Sequence, residues 1–129
     1  MYGLAFLLLA ICTQQPDLDR IQGTWILVDF VSNGKRATTD VRREIKGDAL
    51  TDVVSGRVLK PVTLRLDESQ VPKIWETESA RGITLSIYKL EGDTLTICYP
   101  LKRDLPTPTE FVSKTGGNTS LCVFKRATK

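Results

Sequence analysis

The sequence predicts an all-β domain, an antiparallel barrel or sandwich entered through one short helical turn. Three observations predict it. From Trp25 onward, short runs rich in β-branched and aromatic residues are separated by Asn33-Gly34, Gly47-Asp48, Ser55-Gly56, Gly92-Asp93 and Gly116-Gly117, and no stretch requires a long helix. The segment Ile83 to Tyr99 reads as a hairpin with two apolar-rich arms around Glu91-Gly92-Asp93. The stretch Asp17-Leu18-Asp19-Arg20-Ile21-Gln22-Gly23-Thr24-Trp25 reads as a single helical turn running into the first strand.

That entry stretch has a local logic. Pro16 and Asp17 start a turn, and Leu18 and Ile21 are spaced to share one of its faces, leading towards Trp25. Gly23 then breaks the turn, because glycine alone swings from helix into strand without a Cβ clash. Gly23 to Ser32 is the first strand, ended by Asn33-Gly34. Val41 to Lys46 and Ala49 to Val54 follow around Gly47-Asp48. Val58 to Leu66 alternates only in part, and Pro61 demotes its first half because proline cannot donate to a ladder. Lys73 to Thr77, carrying Trp75, is a short strand before the loop Glu78 to Gly82. After the long hairpin, Leu101 to Pro108 is a loop, Glu110 to Lys114 a short strand and Thr115 to Asn118 a turn. The last strand, Thr119 to Arg126, is apolar on both faces and needs a cover outside it, for which the Asp17 to Gln22 turn is the candidate.

The hairpin also suggests a register. If Leu90 faces Thr94, Ile87 faces Ile97 and Leu85 faces Tyr99 on one side, while Tyr88 faces Thr96 and Ser86 faces Cys98 on the other. The first set is the greasier, so Leu85, Ile87, Leu95, Ile97 and Tyr99 are the expected interior lining. Being large, they favour a filled interior.

A chain of 129 residues with 41% hydrophobic and 26% charged residues suits one domain. The net charge of +3 is scattered among acids over what read as solvated strand faces, Arg42 and Arg43 included. With four Phe, two Trp and three Tyr there is no dense basic, aromatic surface, so no nucleic-acid partner is expected. Leu4 to Cys12 is an unbroken apolar run, about half the ~20 residues of a spanning helix, and reads as an export signal. Two versions stand. In one, residues 1–13 are a cleaved signal peptide and the protein is periplasmic or extracellular. In the other, Leu9-Ala10-Ile11-Cys12 resembles a lipobox, Cys12 is lipidated, and membrane attachment follows only from that lipid, although Ile11 sits where a small residue is wanted. Either way residues 14–129 form one domain. Cys98 and Cys122 then remain as an even pair in an oxidising compartment, either a disulfide or two small buried apolar residues. Cys98 should point away from the interior, and Cys122 shares a face with Phe124 and Arg126, so a bridge requires that face of the last strand to be the outer one.

Gly23-Thr24-Trp25 after a helical turn, with Arg126 on the final strand, resembles the lipocalin, or calycin, superfamily. Closer still, DLDRIQGTW, Asn33-Gly34-Lys35, IYKLEGDTLTICY, PTEFVSK and the closing VFKR resemble a family of small exported domains of unknown function from planctomycete bacteria, over roughly Asp17 to Arg126. The resemblance implies a lipocalin-like up-and-down barrel of about eight strands. It also implies a barrel closure built from Gly23, Trp25 and Arg126, in which a guanidinium stacks on an indole face and bonds the backbone of the entry turn. It brings no established activity. The mid-loop motifs of ligand-carrying lipocalins are missing, and Trp75 lies outside the family pattern.

The chain contains no histidine, which removes the usual neutral-pH acid–base group, the commonest metal ligand and the ordinary nucleophilic triad. Glu76 and Glu78 share a strand face, and Asp29 lies in the first strand, but all read as solvated charges. Gly116-Gly117 has no phosphate-loop motif around it. No enzyme, cofactor or metal is therefore expected. The expected function is a non-catalytic envelope or interaction module whose partner is another envelope protein. The alternative is a small apolar ligand held in the barrel, which requires an interior cavity of ~300 Å³ or more.

Overall fold

Residues 15–128 are described by the structure, a computed structural model; the apolar run Leu4 to Cys12 and the lipidation candidate Cys12 lie outside the described residues. The chain opens with a helical turn, α1 (Asp17–Arg20), followed by ten strands: β1 (Gly23–Ser32), β2 (Lys35–Ala37), β3 (Val41–Lys46), β4 (Ala49–Val54), β5 (Arg57–Val58), β6 (Val62–Asp67), β7 (Lys73–Ser79), β8 (Gly82–Glu91), β9 (Thr94–Pro100) and β10 (Thr119–Arg126). Eight of them, β1, β3, β4, β6, β7, β8, β9 and β10, pair antiparallel in chain order, and β10 returns to β1. The result is a closed up-and-down barrel with a short N-terminal helical turn. β2 and β5 are short flaps on β1 and β4. The residues Leu59 to Pro61 separate β5 from β6, so Pro61 stands where no ladder bond is required of it.

Closure fixes which side of each strand faces in, since side chains alternate along it. Trp25, Ile45, Leu50, Leu64, Trp75, Tyr88, Leu95, Ile97, Cys122 and Phe124 fill the interior. β1 supplies this face only because it carries a bulge. Leu27 pairs with Phe124 but Asp29 pairs with Val123, so Val28 is the extra residue. The bulge switches parity, turning Phe30 in and Asp29 out.

The hairpin register differs from the expected one. Leu90 pairs with Leu95 and Glu91 with Thr94, a connection of two residues, Gly92-Asp93, with Gly92 at φ +60°. One residue fewer in the turn slips the ladder by one, and every β8 side chain changes its cross-strand partner. Tyr88 therefore pairs with Ile97 inside, and Ile87 with Cys98 outside. Leu95, Ile97 and Tyr99 lie within the barrel, but Leu85 and Ile87 point away from it and are not interior lining.

Two further expectations are corrected. Glu110 to Lys114 forms no strand but belongs to the long connection between β9 and β10. That connection, rather than α1, covers the outer face: Cys98 donates to the Val112 carbonyl at 3.5 Å, and the Lys89 ammonium lies 5.0 Å from the Phe111 ring centre. It is anchored by the β1–β2 turn, where Asn33 Oδ1 accepts from the backbone N–H groups of Gly116 and Asn118, and Gly34 N–H donates to Ser113. α1 instead plugs the barrel end where β1 starts and β10 finishes.

Candidate functional site

The two barrel ends differ in chemistry. At the plugged end Trp25 is fully buried and its indole N–H donates to the Ile21 carbonyl at 2.9 Å. Arg126 lies over the same ring and donates to the carbonyls of Gln22 and Arg20. A Cβ on Gly23 would sit 3.7 Å from the Arg126 guanidinium, so the glycine, at φ +118°, is held by its backbone angle more than by space. Asp17 is 1% exposed and tied on several sides, to Lys73, Tyr88 and Arg20 through its carboxylate and to Glu68 through its N–H. Burial pushes its carboxyl up, but the Lys73 and Tyr88 hydrogen bonds and the nearby cations outweigh this and hold it below the ordinary range. These groups hold one another and tie α1 to β1, β7, β8 and β10, and the end reads as structural.

The opposite end carries the candidate site. Val41, Arg43 and Ile45 share the inward side of β3, as Leu50, Asp52 and Val54 do on β4. Arg43 is therefore inside the barrel and only 8% exposed. Its Nε and Nη2 donate to the two Asp52 carboxylate oxygens at 2.8 and 2.9 Å, and its Nη1 donates to the Tyr99 hydroxyl. Its guanidinium carbon lies 4.7 Å from the Phe124 ring centre, 5.8 Å from Tyr99 and 5.9 Å from Trp75, within cation–π range of all three. Burial works against its charge, but Tyr99 and Asp52 more than offset it, so Arg43 stays protonated. Burial keeps the Tyr99 phenol neutral. Above this layer lies a cavity of about 220 Å³ lined by Arg43, Asp52, Tyr99, Trp75 and Thr77, with Leu50, Val62, Leu59 and Lys60 at its sides. Leu59 is held in place because its N–H donates to the Asp52 carbonyl at 2.9 Å.

The other singled-out residues fall elsewhere. Cys98 faces out beneath the β9–β10 connection and Cys122 faces in against Ile97 and Phe30, so both are free thiols and no Cys98–Cys122 disulfide exists. Adjacent strands with opposite-facing cysteines cannot meet the Cβ spacing of a bridge. Burial pushes the Cys122 thiol up to about 12 and raises that of Cys98. Glu76 and Glu78 are both held by Arg65 on the outer surface, and Asp29 by Arg36. Among the described residues no group of three or more His, Cys, Asp or Glu is placed to hold a metal.

Arg43 and Asp52 are the site residues missed in the sequence. A signal was present: each stands on the same strand parity as apolar neighbours, Val41 and Ile45 for one and Leu50 and Val54 for the other. A charge of each sign on inward parity of adjacent strands is the mark of a paired interior group.

The fold and this end together define a side-chain-filled, eight-stranded antiparallel barrel whose open end holds the Arg43, Asp52 and Tyr99 group among apolar walls. No family model, curated protein or solved structure matches the chain.

Proposed function

We propose that this protein is an exported, lipocalin-like, non-catalytic module that works in the cell envelope through its mouth and outer surface rather than through a deep ligand cavity. The observation that carries the reading is the packed interior: Trp25, Trp75, Leu95 and Ile97 are each fully buried. The mouth cavity of about 220 Å³ is smaller than the pockets that enclose drug-sized or lipid ligands, ~300 Å³ and upward. Glu76 and Glu78 are tied to Arg65 on the outer surface and stand away from the mouth. Export rests on the apolar run Leu4 to Cys12. Native mass spectrometry of the protein purified from its expressing cells tests the reading. The expected mass is that of the processed chain, either without residues 1–13 or beginning at a lipidated Cys12, with no noncovalent adduct. A long-chain lipid held noncovalently at one per chain would overturn it.

A second reading, a small ligand taken at the mouth, is favoured by the donor-rich lining of that same cavity.

A further inference from the structure

The mouth holds more hydrogen-bond donors than the protein itself uses. A guanidinium has five N–H groups. Arg43 spends three of them, two on Asp52 and one on Tyr99, and both Asp52 oxygens are occupied by those bonds. Tyr99 accepts from Arg43, and its own O–H has no acceptor among the described residues. The indole N–H of Trp75, which lines the same cavity, is buried with no acceptor among the described residues, as is the hydroxyl of Ser86, its cross-strand partner. A buried donor left without an acceptor is costly, and native structures seldom leave one so. The charges point the same way. The lining carries two cations, Arg43 and Lys60, against one carboxylate, Asp52, leaving one positive charge.

We propose that the mouth cavity is a binding site for a small organic monocarboxylate. Its carboxylate accepts from the spare N–H groups of Arg43 and from the Tyr99 hydroxyl. Its short apolar or aromatic body lies against Leu50, Leu59 and Val62. Lys60 at the rim draws the anion in. The cavity of about 220 Å³ has the volume of roughly seven waters, which admits a ring or a short chain and excludes an acyl chain of lipid length. Asp52 selects in the opposite sense, since an unbound second carboxylate or a phosphate dianion would meet its charge. The inference rests on the mouth being the working end, and the two claims fail separately. Copurified lipid overturns the reading of the packed barrel, whereas the titration below addresses only the ligand class.

The test is a titration of the full chain with benzoate, followed by the indole N–H resonance of Trp75, with benzamide as the neutral analogue. Saturable binding is expected with a Kd on the order of 1 mM, as befits so small a ligand. Benzamide should bind at least about tenfold more weakly, since it lacks the charge that strengthens these hydrogen bonds. Removing the Arg43 side chain would strand Asp52 and endanger folding, so two milder variants are used. Tyr99→Phe should weaken benzoate by about tenfold through the lost O–H donor, and Lys60→Ala by a few-fold through lost steering, more at low salt than at high. Absence of a saturable shift, equal binding of benzamide, or an affinity untouched by both substitutions would each overturn the proposal.

Discussion

The guanidinium carbon of Arg126 lies 4.4 Å from the centre of the Trp25 ring, while its Nη1 and Nη2 donate to the Gln22 and Arg20 carbonyls at 3.0 and 2.6 Å and its Nε to Asp93 at 3.0 Å. One side chain thereby joins the last strand, the first strand, the entry turn and the β8–β9 turn.

Arg126→Lys keeps the charge but loses the planar fork, so it should lower stability by about 1 to 2 kcal/mol. Equilibrium urea unfolding measures this. A midpoint equal to that of the parent would show that the fork contributes nothing.

Trp25→Ala empties the largest buried position at the plugged end and removes the ring on which Arg126 rests. The expected loss is about 3 to 5 kcal/mol. A loss below about 1 kcal/mol in the same urea measurement would exclude Trp25 from the core.

Asp17 makes stability depend on acid. Its carboxyl is held below the ordinary value in the folded protein, so the unfolded chain binds the proton more readily. The stabilisation is complete above about pH 4, the ordinary aspartate value, and is lost as pH falls through the lower folded value. Asp17→Asn should cost about 2 to 3 kcal/mol at neutral pH, because Tyr88 and Lys73 lose a charged acceptor. The gap between variant and parent should narrow on acidification. Urea midpoints taken from pH 7 down to about pH 3 check the sign, and a gap that stays constant would refute it.

Gly34 sits at φ +85°, and a Cβ there would lie 2.4 Å from the Thr115 backbone nitrogen, in the anchored connection. Gly47 also has positive φ, +62°, but open space around it. Gly47→Ala should therefore cost about 1 kcal/mol from backbone strain alone, and Gly34→Ala clearly more, about 2 to 4 kcal/mol. Equal losses would mean that the connection gives way at no cost.

The thiols should be inert in the folded protein. Peptide mass mapping after alkylation is expected to find Cys98 and Cys122 slow to react while native, and both modified without reductant once denatured. Either one resisting modification until a reductant is added would contradict their free state.

Much of this fold was legible in the residues themselves. The β-rich runs, the turn dipeptides, the broken helical turn before Trp25 and the demoted strand at Pro61 follow from backbone sterics and local hydrogen bonding, which act over a few residues. So does the parity of Leu95, Ile97 and Tyr99 along β9. What the chain could not specify locally is how one strand registers on the next. The two-residue turn at Gly92-Asp93 in place of three sent Leu85 and Ile87 outward, and the bulge at Val28 turned Phe30 in and Asp29 out. A slip of one residue leaves local propensity unchanged, and only closure of β10 on β1 makes the wrong parity costly, by burying the polar face. The same applies to Arg43. Along β3 it is one charge among several, and only when β4, β7, β9 and β10 bring Asp52, Trp75, Tyr99 and Phe124 around it does burial become tolerable, because desolvation is offset by Asp52 across the β3–β4 hairpin and by three rings distant in sequence.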